Sequence, residues 1–335
     1  MVEKELITGP FEFEAGGRAD TLRLVFHTSE GEPSGRKTVW ICHALTANSN
    51  PEDWWPTIVG PGRLLDPSEY YIVCVNMLGS AYGSSGPASD DGTGSPWFFR
   101  FPEVTVRDMV KSMELVRESL GINSIDLLVG SSIGGFQALE WACSNPSLFK
   151  GALFMATAPR ISPWLLAHVE SQRMALEADP TFRECRDLSG GGAGLRCARA
   201  QALVSYRCFK GYELTQSEED PDCLFATRAV TYQRYQGEKL VRRNFDAYSY
   251  HYLCNAMASH NVGRHRSGVE SALGRITARS IVASIDTDVI FPPSEADAWA
   301  GWIHGAGRRS VKSDFGHDGF LLETAQVESL IKELI

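Results

Sequence analysis

The apolar positions of this chain fall into short continuous runs separated by amphipathic stretches of helical period. Thr38-Val39-Trp40-Ile41-Cys42, Tyr71-Ile72-Val73-Cys74-Val75-Asn76, Ile125 to Val129, Gly151 to Ala156 and Arg279 to Ile285 each read as a strand buried on both faces. Between two of them, Phe101 to Leu120 carries the apolar period of a helix that Gly121 stops. Strands and helices in alternation predict an α/β protein with a mostly parallel sheet and helices on both faces. Phe11 to His27 alternates apolar and polar residues instead, as a half-buried antiparallel hairpin would. Leu78 to Gly94 is rich in Gly and Ser and has no period, which predicts a long loop. A last short strand is expected near Ser310 to Lys312, and a closing helix over Phe320 to Leu334.

The rhythm breaks after Ala158. From about Ser162 to Gly274 the pattern is helical and rich in Arg, Gln, Tyr and Glu, too long for a simple crossover. The expectation is a helical cap over residues 162–274, inserted between core segments 1–161 and 275–335. Within it, the run Ser189 to Gly194 lacks the Lys-Ser/Thr of a phosphate loop and follows no strand, so it reads as a flexible turn of the cap.

Composition narrows the function classes. A chain of 335 residues accommodates a sheet domain with an insertion. Its net charge of −9 argues against non-specific binding to nucleic acid or anionic membrane. An anionic small substrate needs only a local basic pocket and stays open. No apolar stretch approaches the ~18 residues of a membrane span, and Met1-Val2-Glu3-Lys4-Glu5 has no basic region followed by an apolar run, so no signal peptide is expected. The eight cysteines show neither C-x-x-C pairs nor zinc spacing. Reduced structural thiols, no metal site and a cytoplasmic location are expected.

The chemistry centres on Gly130-Ser131-Ser132-Ile133-Gly134, which follows a buried strand and opens a helix. Ser132 has the G-x-S-x-G spacing of a nucleophile elbow, whereas Ser131 is flanked at that distance by Val129 and Ile133. The helix N-terminus beyond it favours developing negative charge. A serine hydroxyl needs a histidine base oriented by a carboxylate, in the chain order Ser, Asp or Glu, His. Only His304 and His317 follow the strand at Ile281, and His317 lies in a glycine-flanked loop after the last strand. Asp286 and Asp288 both qualify as the acid by position, and Asp288 is followed by an apolar segment that would bury it. The oxyanion donors are expected to be the backbone amides of Ile133 and of Leu45, in the loop after the first buried strand.

Taken together, His43-Ala44-Leu45-Thr46, Asn76-Met77-Leu78-Gly79-Ser80, Arg107-Asp108-Met109-Val110, the elbow with Gln137-Ala138-Leu139-Glu140-Trp141, Ser205-Tyr206-Arg207 and Gly316-His317-Asp318-Gly319-Phe320 carry a resemblance along nearly the whole chain. The chain resembles the homoserine O-acetyltransferases, acyltransferases of the α/β-hydrolase fold with a helical lid. The resemblance implies Asp288 as the acid, and a ping-pong reaction in which Ser132 takes acetyl from acetyl-CoA and passes it to L-homoserine for methionine synthesis. It implies no resident cofactor and a homodimer paired through the caps. Arg207 and Asp318 are then candidates for the acceptor's α-carboxylate and α-ammonium, with Asn48, Tyr206 and Tyr235 as further pocket candidates. Succinyl as the acyl group, L-serine as acceptor and plain ester hydrolysis remain alternatives. The sequence departs from the family pattern at His265, where glycine is usual.

Overall fold

The computed structural model describes residues 1–335. Its main sheet has eight strands: β1 (Val2–Thr8), β2 (Leu22–Thr28), β3 (Lys37–Cys42), β4 (Tyr70–Val75), β5 (Ile125–Ser131), β6 (Phe149–Met155), β7 (Arg279–Ile285) and β8 (Gly307–Val311). They lie in the order β1-β2-β4-β3-β5-β6-β7-β8; β2 runs antiparallel to both its neighbours, β1 and β4, and all other pairs are parallel. The continuous apolar runs are explained by burial on both sides. In β3, Trp40 packs into the larger core cluster, while Val39 and Ile41 face the smaller one beside the C-terminal helix; Leu128 and its neighbours Leu127 and Val129 divide likewise in β5.

Helices α1 (Val106–Ser119) and α2 (Ile133–Ser144) cover the larger cluster. A capping box starts α1: Thr105 Oγ1 accepts from the Asp108 amide at 3.2 Å, and Asp108 Oδ2 accepts from the Thr105 amide at 2.9 Å. Between β6 and β7 the chain forms α3 (Pro163–Glu177), α4 (Gly192–Tyr206), α5 (Phe209–Gln216), α6 (Arg228–Arg242) and α7 (Ala247–Ala258), with a one-turn piece at Val269–Leu273. Helix α4 packs between α3 and α6. Two further helices, α8 (Pro293–Trp299) and α9 (Thr324–Lys332), flank β8 in sequence. No helix is long and apolar enough to cross a membrane. None of the eight cysteines is paired, and Cys42, Cys74, Cys143 and Cys254 are buried.

Three expectations need correction. The partner of β2 is β1, at the very start of the chain, while Phe11–Glu12 and Arg18–Ala19 form a small separate ribbon. The run Ser189 to Gly194 is not a free turn, because its second half is the first turn of α4, where Asp179 Oδ2 accepts from the amides of Ala193 and Gly194 at 2.9 and 3.0 Å. The closing helix is broken into Gly319–Leu322 and α9. His265, the departure from glycine, has φ +60°, a left-handed backbone that glycine adopts without cost and histidine tolerates.

Strand β3 is followed in sequence by its neighbour on one side, β4, and bordered on the other by β5. This reversal opens a crevice beyond the carboxyl ends of β3 and β5, where open parallel sheets bind ligands. The first turn of α2 crosses that crevice at minimal distance: a Cβ on Gly134 would stand 2.1 Å from the Cys42 carbonyl oxygen, and one on Gly130 would stand 2.4 Å from that of Gly134. Gly134→Ala is therefore expected to cost about 3 kcal/mol or more of stability. Gly301→Ala, where an added Cβ meets nothing within 4 Å, is expected to be neutral or stabilising by up to about 1 kcal/mol. Urea unfolding of the two variants against the parent measures both.

Candidate active site

Ser132 sits at the turn from β5 into α2 with φ 57° and ψ −130°. A non-glycine residue holds such a backbone only where its surroundings enforce it. Here the Ser132 amide is shared between the Met155 and Ala156 carbonyls at 3.2 Å each, and Thr157 Oγ1 donates to the Ser132 carbonyl at 2.9 Å. Glu140, two turns further along α2 and 2% exposed, is gripped by Arg107 and Arg266 at 3.2 and 2.5 Å, which fixes the helix against α1.

The loop after β8 brings His317 to the same crevice. Its Nδ1 meets Asp288 Oδ2 at 2.6 Å, and both side chains are almost fully buried. The other carboxylate oxygen, Asp288 Oδ1, accepts from the amides of Ile290 and Phe291 at 2.9 and 3.0 Å. A carboxylate so placed accepts from Nδ1–H and orients the imidazole in the tautomer that leaves Nε2 free to accept a proton. Asp286, the alternative that spacing left open, accepts instead from the Ser313 amide at 2.9 Å and braces the loop. Phe291 stacks on the His317 ring at 5.4 Å, Phe320 meets it edge-on at 5.4 Å, and Tyr206 lies tilted at 5.6 Å. Ser132 and His317 line one cavity of about 150 Å³, together with Leu45, Tyr206 and Asp318. No hydrogen bond joins their side chains in the free chain; such contacts commonly tighten only with substrate bound.

Two backbone amides near Ser132 have no acceptor within the chain. Ile133 N–H is the first amide of α2, beyond reach of any helical carbonyl. Leu45, 6% exposed, lies in the loop after β3, and its amide has no acceptor within the chain. His43 sets the course of that loop. Its Nδ1 lies 2.9 Å from the Ala44 carbonyl and its Nε2 accepts from the Met77 amide at 3.1 Å. One partner needs a donor and the other an acceptor, so the ring is neutral, and burial pushes its pKa down to about 4. The sequence marked His43 only as part of a motif; its role shows in the burial and the two partners.

A serine at a strained elbow, a histidine bonded to a buried carboxylate and two amides without acceptors are a set that acyl transfer could use. A family model described as the alpha/beta hydrolase fold matches residues 37–192, in agreement with the expected fold class. A homoserine O-acetyltransferase of Cyclobacterium marinum is 36% identical over 95% of this chain and 91% of its own length. The chain belongs to the homoserine O-acetyltransferase family. Among solved structures, homoserine O-acetyltransferase from Staphylococcus aureus superposes with a TM-score of 0.81 at 28% identity, covering 98% of this chain and 95% of that one. Esterase E22 superposes with a TM-score of 0.88 at 19% identity, covering 99% of each chain; a likeness at that identity speaks for the fold alone.

The remaining family positions are placed unequally. Arg207, at the end of α4, and Asp318, beside His317, form an ion pair with each other, and Arg207 Nη2 also reaches Tyr232 Oη at 3.4 Å. Asp318 lines the Ser132 cavity, whereas Arg207 borders a neighbouring one of about 170 Å³ with Tyr212 and Tyr232. Tyr206 faces Ser132. Asn48 borders an adjoining cavity of about 390 Å³ and donates to Asp53 at 3.1 Å. Tyr235 is not brought to the site. It is 51% exposed, because α6 turns Gln236 and Lys239 towards the crevice, and the adjacent position points about 100° away.

Glu295 in α8 was not singled out by any motif. Its Oε2 is buried without a hydrogen-bond partner. Burial first, and then the negative charge of Asp288, raise its pKa from 4.5 to about 7, against a lowering by Arg160. For an acid raised by folding, the native state holds the extra proton, so the stability tied to it is present below the unfolded value and is lost as pH rises through about 7. Glu295→Gln is therefore expected to stabilise the protein more at pH 8 than at pH 5. Urea melts at the two pH values test this; equal effects at both would show that Glu295 does not titrate in this window.

Proposed function

We propose that this chain transfers an acetyl group from acetyl-CoA to the hydroxyl of L-homoserine, releasing O-acetyl-L-homoserine for methionine synthesis. The observation that carries this reading is the Asp288–His317 pair at 2.6 Å facing Ser132 across one cavity, in a chain of this family. In the first half-reaction, Ser132 Oγ attacks the thioester carbonyl while His317 Nε2 takes its proton. The oxyanion is held by the Leu45 and Ile133 amides. The intermediate collapses, the C–S bond breaks, and His317 returns the proton to the CoA thiolate. In the second half, homoserine's hydroxyl loses its proton to His317 and attacks the acyl-serine, and Ser132 leaves with that proton. Acetyl-CoA is a substrate, and the reaction as written needs no resident cofactor.

Arg207 and Asp318 are assigned to the acceptor's carboxylate and ammonium, with Tyr206 as a wall of its pocket. Residues from α3, α4 and α7, among them Leu165, Tyr206 and Met257, close over Ser132. That cover supports transfer over hydrolysis, since an acyl-enzyme open to water is lost. Exposed apolar side chains on the helical segment, Phe209, Leu224 and Phe225 at 82, 85 and 79% exposure, favour pairing of two chains there.

Mixing the protein with acetyl-CoA or succinyl-CoA and with L-homoserine or L-serine, with free thiol as readout, tests the assignment. Acetyl-CoA with L-homoserine is expected to be the productive combination; rapid thiol release without any amino acid would mark a hydrolase instead. Ser132→Ala is expected to abolish the mass increase of the acyl-enzyme, and Asp288→Asn to lower kcat by on the order of 10²- to 10⁴-fold. An acyl label that persists in Ser132→Ala would place the nucleophile elsewhere.

A further inference from the structure

The Ser132 cavity is one of three that run together. It shares Thr46, Ala47, Trp54 and Arg243 with the cavity of about 390 Å³ beside it. A smaller one of about 60 Å³ shares Thr46, Arg199 and Arg243 with the Ser132 cavity and adds Lys239. A continuous groove therefore leads from the nucleophile past the Trp54 indole to a rim carrying three cations.

These cations are placed by helix geometry. Gln236, Lys239, Leu240 and Arg243 have the i, i+3, i+4, i+7 spacing of one face of α6 and its C-cap. Arg199 projects from α4, half-buried, with its guanidinium over the Tyr206 ring at 5.4 Å. Neighbouring Arg196 is neutralised by Glu238 at 2.6 Å. None of Arg199, Lys239 and Arg243 has such a partner, although the chain holds 41 acidic against 32 basic residues. The acidic groups that line the same cavities are Asp53 and Asp318. Asp53 already accepts from Asn48 and Asn50, at 3.1 Å each, and Asp318 is held by Arg207.

We propose that Arg199, Lys239 and Arg243 receive the phosphate groups of the nucleotide-bearing acyl donor, so that its thioester arm runs along the groove past Trp54 to Ser132. The inference rests on the acyl-CoA reading above and adds to it the place where an acidic protein meets a polyanionic substrate. A guanidinium and an ammonium without carboxylate partners give up no existing pair when phosphate arrives, and charge-assisted contacts to phosphate are the strong ones. Arg199 and Arg243 line the Ser132 cavity as well as the rim, and Lys239 stands outside it.

The test compares acetyl-CoA with S-acetylpantetheine, the same thioester without phosphates or nucleotide, in the parent and in Lys239→Gln/Arg243→Gln. Arg242→Gln, an exposed cation of α6 that lines none of these cavities, is the control. In the double variant the ratio of kcat/KM for acetyl-CoA over S-acetylpantetheine is expected to fall on the order of tenfold, through KM for acetyl-CoA, and the control to keep the parent ratio. Calorimetric binding of CoA against pantetheine reads the same rim without turnover, and the preference for CoA is expected to shrink by a similar factor. Homoserine acetylation with an unchanged ratio and unchanged CoA preference in the double variant would overturn this inference and leave the functional reading standing. A parent that prefers CoA over pantetheine through these cations yet acetylates no homoserine would do the reverse.

Discussion

The contact between Gly134 and the Cys42 carbonyl is the constraint on which the rest of the site depends. It joins the end of β3 to the first turn of α2 with no room for a side chain. With those backbones pressed together, Ser132 takes its strained φ of 57° at the rim of the sheet, in one cavity with Leu45. The strain is held by ordinary means: shared hydrogen bonds to the serine's own peptide groups, and a buried Glu140 clasped by two arginines. The anchors lie outside the chemistry, so the serine hydroxyl stays free.

Charges inside the protein follow a consistent rule with instructive exceptions. Asp288 is buried with three hydrogen bonds, and Glu140 with two arginines. Glu295 breaks the rule, with a buried oxygen that nothing satisfies, and its affinity for protons rises accordingly. At the surface, the cations at the groove's mouth carry no carboxylate partner either, where Arg196 close by is paired with Glu238.

Much of this was legible from the residues. The central strands showed as continuous apolar runs because both their faces are covered, and β7 was bounded to the residue, Arg279–Ile285. Strand β1 was missed because it is an edge strand with Glu3, Lys4 and Glu5 on it, largely exposed, so neither alternation nor an apolar run marks it. Ser132 and His317 followed from local spacing and chain order, while the choice between Asp286 and Asp288 did not, since both stand in the same loop. Tyr235 failed for a related reason: on an amphipathic helix a one-residue offset decides which way a side chain faces, and a motif does not carry that phase. The cationic rim was invisible until α4 and α6 were placed side by side, because Arg199 lies 40 and 44 positions from Lys239 and Arg243 and on a different helix.

The pair between Arg207 and Asp318 ties the end of α4 to the loop that holds His317. On the proposed assignment, the free protein already contains the charge pattern of its acceptor, folded back on itself. A zwitterionic amino acid exchanges with that pattern one charge for one charge, so no group is left stranded during the swap. A simple alcohol, or an amino acid blocked at either end, offers only half of the exchange and leaves a partly buried ion without a counter-charge. Selection among hydroxyl compounds would then be made by an ion-exchange step before any hydroxyl reaches the acyl group, and water, which carries neither charge, has nothing to exchange.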